Sequence, residues 1–144
     1  KICYDLKNLE IAHIHLFISF LNLKQSQIDD AFGNFGLDSL KIKNTAINFA
    51  KTVKSPQKQI SQKNILLSEN VKTIFKCAKS ISSKFDHKYI GLEHIFISLF
   101  EIPDENFEKF FKILQIHNYE HQQQHTILFV NILVSSIVYF LVHI

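Results

Sequence analysis

The sequence predicts an all-α protein, a pseudo-twofold bundle of two four-helix repeats. Three observations predict it. Turn-forming residues are scarce, with 3 Gly and 2 Pro in 144 residues, and β-rich folds need many of them. Apolar residues recur at helical spacing in several stretches. The chain also repeats itself. Slid by 79 positions, residues 11–40 lie over 90–119 without a gap, with identities at Ile11/Ile90, His15/His94, Phe17/Phe96, Ile18/Ile97, Ser19/Ser98 and Phe32/Phe111. Other pairs, among them Leu16/Ile95, Phe20/Leu99 and Ile28/Phe107, keep apolar character. Duplication explains an ungapped run in one apolar register. Two copies are too few for a solenoid, so the units must bury their apolar faces against each other.

The first repeat covers residues 1–53. It reads as a helix end at Ile2–Lys7, a helix over about Ala12–Leu23, a third over Gln25–Phe35 and a fourth over Asp38–Val53, with Asp38 as N-cap. The offset sets Lys1 opposite Ser80, so the first helix is shorter than its counterpart. With no Met in the chain, a fragment or processed product is expected. Residues 54–67 read as a linker, broken at Ser55-Pro56 and polar from Gln57 to Asn64. The second repeat, 68–132, opens with Ser68 as N-cap. Val71, Ile74, Phe75, Ala78 and Ile81 then recur at helical spacing up to about Asp86. A loop, His87–Gly91, leads to a helix over Leu92–Phe100 that stops before Pro103. The next helix, Glu105–Leu114, sets Phe107, Phe110, Phe111 and Leu114 on one stripe, and a fourth begins near Asn118. Residues 133–144 form an apolar tail without a counterpart in the first copy.

The chemistry is read mostly by exclusion. A net charge of +3, from 16 Lys against 13 acids, is too mild for nucleic-acid binding. All the strong bases are Lys, so bidentate reading of guanine or phosphate is not available. Cys3 and Cys77 form no CxxC pair and no ligand cluster, which points to a reducing compartment. No apolar secretory segment opens the chain. No GxxxxGK[ST] loop is present to cradle a nucleotide, so no cofactor is expected in this chain. No GxSxG, HExxH or paired-carboxylate pattern appears, and no catalytic residue is assigned. Asp104, Glu105 and Glu108 read as a helix start with a solvated face. His117, His121 and His125 would share one helix face, a spacing that can bind zinc. Gln122–Gln124 beside them read as a solvated helix, so no metal site is assigned.

The run His87-Lys88-Tyr89-Ile90-Gly91-Leu92-Glu93-His94, between a capped helix and an apolar one, resembles the N-terminal repeat domain of Clp/Hsp100 unfoldases. The ClpC-type pattern, H-x-Y-I-G-T-E-H followed by aliphatics, is the nearest form, and the resemblance runs from Lys1 to about Ile132. It implies an eight-helix pseudo-dimer without catalysis of its own. Such a domain sits on a hexameric AAA+ ring, whose other domains bind ATP, and receives protein substrates or adaptors. A ClpP-type protease is a further partner of such rings. The resemblance implies an intracellular setting, a bacterial cytoplasm or a plastid-type organelle. The Lys-, Ile-, Asn- and Phe-rich composition fits an AT-rich genome.

Within the motif, His87, Ile90, Gly91, His94 and the equivalent His15 are expected to be structural. Gly91 suits a tight helix entry, and His15 and His94 read as core groups bonded to backbone. Tyr89 can bury its ring while pairing its hydroxyl, and Glu93 lies in the first turn, at the positive end of the helix dipole. Three departures stand out. Leu92, and His13 in the first copy, replace the family's Thr; Ala12 replaces the Gly; Ile14 replaces the Glu. In ClpC-like domains that Glu position helps receive phosphorylated arginine, and here only Glu93 retains it. The residues therefore do not make a two-site phosphoarginine receptor. They are expected to make a more apolar docking surface from Tyr89, Leu92, Glu93, His13 and Ile14, together with the groove between repeats.

Ile127–Ile144 carries no Asp, Glu, Lys or Arg over 18 positions. As a helix it would extend about 27 Å, near the thickness of a bilayer core. Asn131, Ser135, Ser136 and the lack of a basic flank stand against a span. A helix folded on the body, a membrane anchor and translated non-coding sequence all remain open. The alternative function is accordingly a membrane-anchored helical interaction protein, and a His-based metal hydrolase is a third class.

Overall fold

The computed structural model describes residues 1–23, 30, 32–33, 38–53 and 65–116. Most of the expected Gln25–Phe35 helix, the helix from Asn118, the three histidines 117, 121 and 125, and the 127–144 segment lie outside them. Among the described residues no helix is long and apolar enough to cross a membrane.

The described chain is helical, as expected. Its elements are α1 (Ile2–Asp5), β1 (Glu10–Ile11), α2 (His13–Asn22), α3 (Ser39–Thr52), β2 (Leu66–Leu67), α4 (Glu69–Lys84), α5 (Leu92–Glu101) and α6 (Glu105–Ile116). Local chemistry sets the starts. Asp38 Oδ1 accepts from Leu40 N at 2.9 Å and Lys41 N at 3.2 Å, and Ser68 Oγ accepts from Val71 N at 3.2 Å. Asp104 Oδ1 accepts from Phe107 N at 2.8 Å, so Asp104 caps α6 as part of a packed corner.

Helical patterning does not signal β1 and β2. They are a two-residue parallel pair, Glu10 opposite Leu66 and Ile11 opposite Leu67. Leu66 N donates to Leu9 O at 3.2 Å, and Ser68 N donates to Ile11 O at 3.0 Å. The end of the expected linker is thereby tied to the entry of α2.

Helix α4 packs on α5. Helix α2 packs on α3, α5 and α6, and α3 also meets α6. The core where they meet is a cluster of phenylalanines. Phe17 lies edge-on to Phe107 at 5.5 Å and to Phe111 at 5.8 Å, and Phe20 lies edge-on to Phe96 at 5.1 Å. Edge-to-face rings pair a positive rim with a negative face, which adds to area burial. The repeated apolar pairs Phe17/Phe96, Phe20/Leu99 and Phe32/Phe111 are all buried in this cluster.

The duplication extends to the hydrogen bonds. Lys7 and Asp86, 79 positions apart, both leave a helix end with positive φ, 57° and 54°. The main chain then closes on the same partners, Asn8 N to Cys3 O and His87 N to Ser82 O, each at 3.0 Å. Sequence identity is absent at these positions, but the turn is the same.

Candidate docking site

The loop between α4 and α5 is built around Ser82. Its hydroxyl donates to His87 O at 3.1 Å and Tyr89 O at 2.9 Å. In the first repeat the Cys3 thiol takes this place, with Asn8 O and Glu10 O each 3.2 Å from Sγ. Burial pushes the Cys3 thiol above its usual range, so it stays a protonated, inert donor.

Each loop is then locked by its histidine. His94 Nδ1 accepts from Gly91 N at 2.8 Å, which leaves the proton on Nε2, and Nε2 donates to His87 Nδ1 at 2.8 Å. His15 repeats this arrangement. Its Nδ1 accepts from Ala12 N at 2.9 Å, and its Nε2 donates to Asn8 Oδ1 at 3.0 Å. Asn8 Nδ2 in turn donates to Val53 O at 3.2 Å, tying α2 to the end of α3. Burial holds the His15 pKa down to about 4, so the ring is neutral at neutral pH, as this tautomer requires. The structural reading of His15, His87, Gly91 and His94 rests on this network. Sequence reading missed Asn8 and Cys3, although the offset sets them opposite His87 and Ser82.

His87, Glu93 and His94 gather potential ligand atoms within 4.8 Å of one another. The donor chemistry does not suit a metal. His94 would have to surrender the Nε2 proton, but its Nδ1 faces the Gly91 N–H and cannot take a proton in exchange. His87 and His94 form a hydrogen-bonded brace.

The expected surface residues separate into two groups. Tyr89 is 83% exposed and Leu92 41%. Ile90 and Phe85 are exposed beside them. The half-buried Glu93 folds its carboxylate over Gly91, with Oε1 3.3 Å from His94 Nδ1. A Cβ at Gly91 would meet that carboxylate. Tyr89 thus stands in solvent and does not bury its ring.

His13 and Ile14, expected at the surface, are buried, at 0% and 3% exposure. The connection from α5 to α6 covers His13. Its Nε2 donates to Ile102 O at 2.9 Å, its ring lies 5.5 Å from Phe107, and Nδ1 stands 3.4 Å from Asp104 Oδ2. Burial lowers the His13 pKa, against the pull of Asp104. Ile14 joins the core because an aliphatic side chain can be buried where a carboxylate could not. A cleft of about 660 Å³ lies between the repeats, lined by Asn8, Glu10, Ala12, Ser68, Asn70 and Asp104 among others. Leu9, Ile14 and Val53 add apolar groups to this lining, so the cleft mixes polar and apolar character.

Residues 2–114 match the Clp repeat (R) N-terminal domain. The chain belongs to this family. The match takes in both loop–histidine units and the phenylalanine core. The Clp N-terminal domain is a non-catalytic module. A chaperone protein ClpB from Clostridium perfringens (strain 13 / Type A) is 25% identical over 108 residues, which cover 74% of this chain and 12% of that protein. No solved structure matches. The chain thus spans about an eighth of the length of its curated relative.

Proposed function

We propose that this Clp N-terminal domain recruits protein substrates or adaptors to an ATP-driven Clp-type unfoldase. Docking is reversible and feeds an unfolded segment towards a ring pore formed by other parts of a parent protein. In this reading the chain binds no cofactor, and the parent ring binds ATP and works with other ring subunits, with or without a ClpP-type protease. The setting is an intracellular, reducing one, a bacterial cytoplasm or a plastid-type organelle.

One observation carries the reading. Apolar side chains stand in solvent on a loop held from within by Ser82 and His94. Tyr89, Ile90 and Leu92 are exposed around the Ser82 and His94 bonds. Aromatic and aliphatic groups held on a rigid turn lose little entropy on binding. Glu93 adds a carboxylate that can pair with a lysine or arginine of the incoming segment. The departures from the ClpC pattern support apolar recognition over phosphoarginine capture, because Ile14 is in the core and only Glu93 carries charge.

The test is binding of fluorescently labelled casein, a largely unfolded protein, to the purified chain. Changing Leu92 and Glu93 together to Ala is expected to weaken binding about tenfold, equivalent to about 1.4 kcal/mol. Leu40→Ala, an exposed leucine in α3, should leave binding unchanged. Equal affinity for casein in the double variant and the unaltered chain would overturn the proposal.

A further inference from the structure

The two repeats differ in one respect that the duplication makes conspicuous. In the first, Cys3 occupies Glu10 O, and the flanking carbonyls of Leu9 and Ile11 face outward and take the N–H groups of Leu66 and Ser68. In the second, Ser82 occupies Tyr89 O in the same way. By the 79-residue offset the flanking carbonyls are those of Lys88 and Ile90. Among the described residues, no hydrogen bond reaches either of them. The second repeat therefore presents the edge that β2 fills in the first. Tyr89 and Ile90, the counterparts of Glu10 and Ile11, are both exposed.

We infer that the Lys88–Ile90 edge accepts an extended peptide by parallel strand addition, two alternate N–H groups of the peptide donating to the Lys88 and Ile90 carbonyls. The first repeat supplies the precedent, because Leu66-Leu67-Ser68 is the segment that an edge of this shape already holds through its main chain. Main-chain bonds supply the affinity in such additions, and side chains supply the preference. An open edge of two or three residues is short enough to avoid uncontrolled pairing between copies. Parallel addition would lead the peptide towards the start of α5, past Leu92 and Glu93. The inference rests on the recruiting function proposed above and specifies how a segment is held there.

The experiment uses the full chain, isotope-labelled for NMR, and the acetylated peptide Ile-Leu-Leu-Ser-Glu-Asn, which copies residues 65–70. Saturable shifts are expected at the amides of Lys88 to Leu92. N-methylation of the first leucine and of the serine removes the two N–H groups that donate across the pair, and should weaken binding at least tenfold. N-methylation of the second leucine, whose N–H points away from the edge, should change it less than twofold. Equal affinity of all three peptides, or no binding by any, would overturn the inference. So would concentration-dependent shifts of the same amides without peptide, which would assign the edge to a second copy. If casein binding depends on Leu92 and Glu93 while N-methylation has no effect, strand addition falls and recruitment stands. If casein binding is indifferent to those side chains, the recruiting proposal itself falls.

Discussion

At the scale of single residues, the histidines show how position overrides residue type. His13 and His15 are two apart on one helix, both buried, and bonded to different parts of the molecule. His15→Ala would strip a partner from Asn8 and from Ala12 N, leaving buried polar groups unpaired. A cost of about 2–4 kcal/mol follows, measurable by urea denaturation. The pH dependence has a definite sign. In the unfolded chain His15 takes a proton near its ordinary pKa of 6.5, and in the fold only near 4. The unfolded state therefore gains protons first as pH falls. Full stability is present above about pH 6.5 and is lost between 6.5 and 4, by about 3 kcal/mol from His15 alone. His13, lowered for the same reason, adds in the same direction. Urea midpoints should fall between pH 7.5 and 4.5, and His15→Gln, which does not titrate, should flatten that slope. A midpoint constant over this window would contradict the assignment. The roles of His15 and His94 were legible from their repeat, but that of His13 was not. What covers His13 comes from Ile102 and Asp104, about ninety positions away, and no local pattern announces such a neighbour.

At the scale of elements, capping residues mark starts well because their chemistry is local. Asp38 and Ser68 are readable as caps from two or three residues of sequence, and both make those bonds. Ser68→Ala should cost about 1 kcal/mol. Asp104→Ala should cost more, about 2 kcal/mol, because one carboxylate oxygen caps α6 while the other accepts from Asn70 Nδ2 at 3.1 Å and faces His13. Thermal denaturation of the two variants side by side checks the order, and a milder effect at Asp104 would show that the corner is not a unit. The short parallel pair was not legible. Two residues are too few to show alternation, and their pairing is decided by a partner more than fifty positions distant.

At the scale of the whole molecule, the duplication does the most. Pairs 79 positions apart share turn conformation and hydrogen-bond partners even where residues differ, as Cys3 and Ser82 do. Phe17, fully buried among rings of the second repeat, should be the most costly core position. Phe17→Ala is expected to lose about 3–5 kcal/mol, with one cooperative transition, since a single cluster holds both copies. Two separate transitions would show that the repeats fold independently. By itself the sequence determined the helical class, the repeat and its offset, the caps, and the family to which the loop motif points. These follow from periodicity and short-range chemistry, which lie along the chain. Only the tertiary structure decided which copy of each repeated position faces solvent. It buried His13 and Ile14 and left their counterparts Leu92 exposed and Glu93 half-buried, because burial depends on what the other repeat sets against each position.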